Sequence, residues 1–243
     1  MTLTLSNWEK RWGILYLLAQ MFLVPFGAAV LCDALSIHSV AAVNLTAFFI
    51  NAVLAVVFFR QLLRSSLKNF RWGRTLRTAG AGFCLYWLAN TVLTVAILAL
   101  KPDFANINDT GINAMIDEFP VLMPLAVVFA APLAEECLFR GWIFTGLAQK
   151  SLPLAYGIAT LTFSLIHTLG YIGTCDAMTL ALCTMQYLVP AAVLCWVCHK
   201  SDSLLVPLLL HMAINTIALF TTRGSHAQNS AIIPPCGQSD RRR

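Results

Sequence analysis

The sequence predicts an all-α fold: a polytopic bundle of about seven transmembrane helices forming a single membrane domain over residues 1–243, with a polar site inside the bilayer. Three observations predict it. Hydrophobic residues make up 58% of the chain and charged residues 11%, with a mean hydropathy of +0.74, against the roughly 45–50% apolar content of soluble domains. Uncharged stretches recur at lengths that let a helix cross a hydrocarbon layer of ~30 Å. Three of those stretches nevertheless carry Glu, Arg, His and Asn residues, which are costly at membrane depth and therefore mark a site.

The first stretch, about 13–32, is longer than the 7–15-residue core of a cleaved signal and ends in no clear small-x-small site, so it reads as the first span. The second and third cover about 39–59 and 78–100. Between them stand Arg60, Arg64, Lys68, Arg71, Arg74 and Arg77 with no acid, whereas the connection after the third span sets Asp103, Asp109, Asp117 and Glu118 against Lys101. Positive loops stay in the cytoplasm, which puts the first connection inside, the second outside and the N-terminus in the cytoplasm. The remaining spans cover about 121–149, 152–173, 177–198 and 203–222, and Lys10-Arg11, Lys150 and His199-Lys200 then all fall inside. Residues 223–243, with Gly224, Pro234, Pro235 and Gly237, have the composition of a disordered tail, and their final Arg241-Arg242-Arg243 is the one charge cluster against this topology.

Composition and motifs also exclude several classes. The net charge of +5 sits beside apolar runs, where it orients a membrane protein, and does not signal nucleic acid. No Gly-rich phosphate loop, dinucleotide fingerprint or fixed-period repeat occurs. The eight cysteines lie mostly in apolar segments and define no disulfide framework. Cys195-Trp196-Val197-Cys198-His199 spells the c-type haem attachment pattern, but it ends an apolar span with no soluble haem pocket beside it, so these residues read as packing.

The site residues lie on the fourth, fifth and seventh spans. Glu136 and Arg140 stand four apart with the acid first, the favourable order for a helical ion pair, so each can neutralise the other and Glu135 is left free. Phe163 and His167, and likewise His211 and Asn215, share one helical face at the same spacing. If the fourth and fifth spans turn back near 151, Glu135 and His167 each lie ~16 residues, or roughly 24 Å, from the turn and are level with each other. His211 and Asn215 enter from the same side to roughly 14 and 20 Å, and Pro132, Pro153 and Pro207 allow broken or tilted helices to close the remaining gap. For Glu136 and Arg140 a structural pair and a site role are both open. Asn44, Asn51, Asn90 and Gln186 lack such company and read as packing residues.

Glu135-Glu136-Cys137-Leu138-Phe139-Arg140, Phe163-Ser164-Leu165-Ile166-His167 and His211-Met212-Ala213-Ile214-Asn215 closely resemble the E-E-x-x-x-R, F-x-x-x-H and H-x-x-x-N signatures of the CAAX protease and bacteriocin-processing (CPBP, or Abi) family, in family order. The resemblance covers about 120–220, the expected catalytic core. It implies an intramembrane endopeptidase related to the type II enzymes that trim prenylated CAAX proteins, acting on a membrane-associated protein or peptide, most naturally in a bacterial cell membrane. Carried over, it implies that Glu135 and His167 activate water, that His211 and Asn215 stabilise the oxyanion, and that Glu136 and Arg140, with Phe163, support them. These residue types suit general base catalysis and oxyanion binding. No cofactor is expected. The alternatives are a zinc-dependent form of the same protease with Glu135, His167 and His211 as ligands, although H-E-x-x-H is absent, and a non-catalytic bacteriocin-immunity protein.

Overall fold

A computed structural model describes residues 3–68 and 70–232 of the chain, with side chains as far as 223. Among the described residues it is an all-α bundle. Seven helices are long and apolar enough to span a membrane: α1 (Asn7–Ala34), α2 (Val40–Phe58), α4 (Trp72–Leu100), α6 (Leu122–Ala148), α7 (within Leu152–Tyr171), α8 (Ala177–Ser201) and α9 (from Leu205). Two shorter helices, α3 (Arg60–Lys68) and α5 (Ile107–Glu118), lie in the connections. The chain is an integral multi-pass membrane protein.

The centre of the bundle is α6. Fifty-six per cent of its most apolar window is buried, more than in any other span. Its Ala134, Cys137, Leu138, Phe139 and Phe144 pack against Ala155, Ala159 and Phe163 of α7 and Ala191, Cys195 and Cys198 of α8. Small residues let these backbones approach, which is how helices associate where lipid supplies no hydrophobic drive. Gly82 of α4 does the same, since a Cβ there would strike Val197 of α8 and Leu210 of α9. Outer helices turn large apolar groups such as Phe22, Phe26, Leu88 and Phe220 away from the core, as a lipid-facing surface requires.

Both long connections contain structure that charge alone did not reveal. In the basic one, α3 buries Leu62 and Ser66 and exposes its cations, and Ser66 Oγ accepts the N–H of Leu204 ahead of α9 (3.1 Å). Glu9, 1% exposed, serves two helix starts: it closes the Ser6–Glu9 capping box of α1, and its Oε1 accepts the N–H of Leu62 at 3.0 Å. In the acidic connection, Asn106 caps α5, whose Ile116 packs with Met123 and Ala126 of α6.

Two expected boundaries move. The fifth span, expected to 173, ends at Tyr171: α7 is α-helical over Leu152–Ile166 and is followed by a 3-10 turn over Leu169–Tyr171. At the break the His167 ring donates to the Phe163 carbonyl (2.8 Å), and Thr168 Oγ donates to the carbonyls of Ser164 and Leu165. The tail expected from 223 begins helical instead, because α9 continues to Ile232. Arg223 pairs with Asp117 (3.1 Å), and no proline interrupts the helix before Pro234. Residues 233–243, with the terminal arginines and Cys236, lie outside the described residues.

The charge asymmetry of the two connections gives an orientation to measure. With membrane-impermeant maleimide on intact cells, Asp103→Cys is expected to label and Lys68→Cys to label only after permeabilisation. The reverse pattern would invert the topology.

Candidate active site

Glu135 and Glu136 sit at mid-length of α6, where the helix is irregular on both sides. Over Ala126–Ala130 and Cys137–Phe144 it is wound as π-helix, a feature frequent at functional sites. The first of these has a local cause. Ala131 N–H reaches back five residues to the Ala126 carbonyl, and Pro132 has no N–H to offer. The Val127 carbonyl is left for another donor, and Asn215 Nδ2 from α9 supplies it at 2.9 Å.

Beneath the site lies a charged network with no access to water. Arg140 Nη1 donates to Glu136 Oε1 at 2.7 Å, both side chains being fully buried, and Arg140 Nη2 donates to the Ala191 carbonyl of α8 at 3.1 Å. The guanidinium carbon stands 4.4 Å over the Phe163 ring of α7. The i,i+4 pair expected from spacing therefore forms, but it is not self-contained: His211 Nδ1 from α9 also donates to Glu136 Oε1, at 2.9 Å. The residue this pair positions directly is His211 rather than Glu135.

Those bonds set both imidazole tautomers. His167 Nδ1 donates to the Phe163 carbonyl (2.8 Å), and His211 Nδ1 donates to a carboxylate already paired with Arg140. In each neutral ring Nε2 keeps its lone pair. The two Nε2 atoms face Glu135 Oε2, His211 at 3.7 Å and His167 at 3.9 Å. These separations exceed a direct hydrogen bond and suit a bridging water. The His167 ring is held between Phe163 (centroids 4.5 Å) and Tyr187 of α8 (4.4 Å, 24° between planes). Glu135, His167, His211, Asn215 and Phe163 all line one cavity of about 920 Å³, while Glu136 and Arg140 lie behind its wall. Among the described residues no three His, Cys, Asp or Glu side chains stand at metal-ligand distances from one point.

The cavity also gathers residues that sequence reasoning left elsewhere. Tyr187 Oη donates to Asp109 Oδ1 of α5 (3.4 Å) and accepts from Asn108 Nδ2 (2.9 Å), while Gln186 accepts from Asn106 (2.9 Å). Asp109 had counted only as loop charge. The available signal was Asn106 as an N-cap followed by an amphipathic turn. Burial pushes the Asp109 carboxyl up to about 6, partly offset by the Tyr187 hydrogen bond.

Residues 117–217 match the family model described as Type II CAAX prenyl endopeptidase Rce1-like. A further relative is the UPF0177 protein YxdF of Lactococcus lactis subsp. lactis (strain IL1403), 27% identical over 155 residues, which cover 63% of this chain and 80% of that protein. No solved structure matches.

Two measurements follow. Removing Arg140 strands a buried carboxylate, and such losses typically cost about 3–5 kcal/mol, so Arg140→Ala is expected to lower the yield of folded protein. Glu136→Gln with Arg140→Gln removes both charges and is expected to restore much of that yield, read by size-exclusion chromatography in detergent. Asp109 holds its proton more tightly folded than unfolded, so its ionisation costs stability as pH rises from the ordinary carboxylate value through about 6. Asp109→Asn is accordingly expected to melt higher than the parent above pH 6, with the difference shrinking towards pH 4.

Proposed function

We propose that the chain is an intramembrane endopeptidase of the CAAX-processing type that hydrolyses a peptide bond in a membrane-associated protein or peptide. The observation that carries this is the approach of two Nε2 lone pairs, on helices α7 and α9, to the free carboxylate of Glu135 at the wall of the cavity. The match of residues 117–217 to the Rce1-like family model supports the same reading.

In this mechanism a water molecule binds between Glu135 and His167. Glu135 takes one of its protons as the water oxygen attacks the carbonyl carbon. The charge developing on the carbonyl oxygen is met by the second amide hydrogen of Asn215, whose first goes to Val127. His211 accepts a proton at Nε2 across the 3.7 Å from Glu135 and then donates to the same oxygen, while its Nδ1–H stays on Glu136. Collapse of the tetrahedral intermediate breaks the C–N bond, and the proton returns through Glu135 to the leaving nitrogen. Phe163 and Tyr187 keep the His167 ring from turning away. The expected setting is a bacterial cell membrane with the N-terminus in the cytoplasm.

The test is processing itself. In host cells making the parent or Glu135→Gln, comparative membrane proteomics is expected to show at least one protein or peptide cleaved only by the parent, at equal expression of the two. Activity of Glu135→Gln within a few-fold of the parent would remove Glu135 from the mechanism, and loss of the parent's activity in chelator with recovery in Zn²⁺ would replace the metal-free scheme.

A further inference from the structure

The charges lining the catalytic cavity are one-sided. Its described lining includes two acids, Asp109 and Glu135, and no Lys or Arg. Two guanidinium groups adjoin the cavity wall and both are already paired: Arg140, fully buried behind Phe163, with Glu136, and Arg223, next to the lining Thr222, with Asp117. Asp109 is half-buried, and among the described residues its carboxylate takes one side-chain hydrogen bond, the long one from the Tyr187 hydroxyl (3.4 Å). It is tied to the reacting groups through that tyrosine, whose ring stacks on His167. The chain of contacts from Glu135 through His167 and Tyr187 to Asp109 spans at most roughly 15 Å, which an extended peptide covers in about five residues at ~3.3 Å per residue.

We propose that Asp109 is a specificity residue that receives a lysine, arginine or free amino group of the substrate a few residues from the scissile bond, so that the natural substrate is a cationic membrane-associated peptide cut at an internal position. This rests on the protease reading and names its substrate class. The same charge distribution disfavours a free C-terminal carboxylate inside the cavity, where it would meet two acids with no cation to pair with. Release of a C-terminal tripeptide would place such a carboxylate there. The wall around Asp109 suits a peptide in other respects: Asn90 and the amide nitrogen of Gln186 offer groups for backbone hydrogen bonds, and Tyr171 and Trp87 give apolar surface.

The experiment uses the full chain in lipid nanodiscs and two readouts. For binding, Glu135→Gln protein is titrated with fluorescein-labelled apolar nonapeptides, blocked at both ends and differing only in one central Lys, Gln or Glu. The Lys peptide is expected to bind at least ten-fold more tightly than the Gln peptide and the Glu peptide more weakly still, with an unblocked C-terminus also weakening binding. Adding Asp109→Asn is expected to bring Lys and Gln within about two-fold of each other. For cleavage, the parent is given a peptide library generated by a Glu-specific protease, which leaves Lys and Arg internal, and the cut sites are mapped by mass spectrometry. Basic residues are expected to be enriched within four positions of the cut.

Equal binding of the Lys and Gln peptides, persistence of the Lys preference in Asp109→Asn, or cuts concentrated three residues from free C-termini would overturn the proposal. The peptide series reads the preference on unchanged Asp109, so a poorly folded variant does not decide it. Lys-selective binding with no cleavage of any peptide by the parent would sink the protease reading and keep the recognition. Cleavage without basic enrichment would do the opposite.

Discussion

The buried ion pair of Glu136 and Arg140 is the constraint around which the bundle is arranged. Two charges in a medium without water are tolerable only if their hydrogen-bonding capacity is largely filled. Here the partners come from three other helices: the Ala191 carbonyl of α8, the face of Phe163 on α7, and His211 Nδ1 on α9. Glu136 Oε2 and Arg140 Nε remain without a partner among the described residues, so the network is not an efficient source of stability. Its effect is specificity. Shifting any of the three helices would strand a charge, and the helices so fixed are those that bring His167 and His211 to Glu135.

Much of this was legible because membrane sequences separate their signals cleanly. An ionisable residue in an apolar run has few meanings, and the spacings of Glu136 with Arg140, Phe163 with His167, and His211 with Asn215 each fix a helical face. The turn near 151 and the approach of Glu135 and His167 followed from counting residues. What spacing could not show was which side chains each polar group would meet across the bundle. The pair on α6 looked self-sufficient because i,i+4 geometry is local, whereas its bond to His211 joins residues 75 apart in sequence. Asn215 likewise looked like a site residue alone. Its bond to Val127 arises from the carbonyl that Pro132 leaves unpaired, which ties the residue to the integrity of α6 as well.

The connections were harder to read for a different reason. The basic and acidic loops carry orientation signals in their charges, and those charges mask the apolar stripes of α3 and α5. Leu62 and Ser66 on one, and Asn113 and Ile116 on the other, are buried because the helices lie against the ends of the spans. With α5 in place, Asn106, Asn108 and Asp109 become part of the cavity wall. Nothing in their sequence spacing to Glu135 links them, since the link is made by Tyr187 on α8.

The break in α7 has a consequence for how the span meets its surroundings. The α-helical part, Leu152–Ile166, reaches roughly 22 Å at 1.5 Å per residue, and the 3-10 turn over Leu169–Tyr171 completes the span without continuing the same helix. Irregular backbone at membrane depth is tolerated where it is buried in protein or lines a cavity. Ile166, His167, Leu169, Gly170 and Tyr171 all line the cavity, so the peptide groups freed by the break open on the pocket, a hydrophilic notch in an otherwise apolar wall.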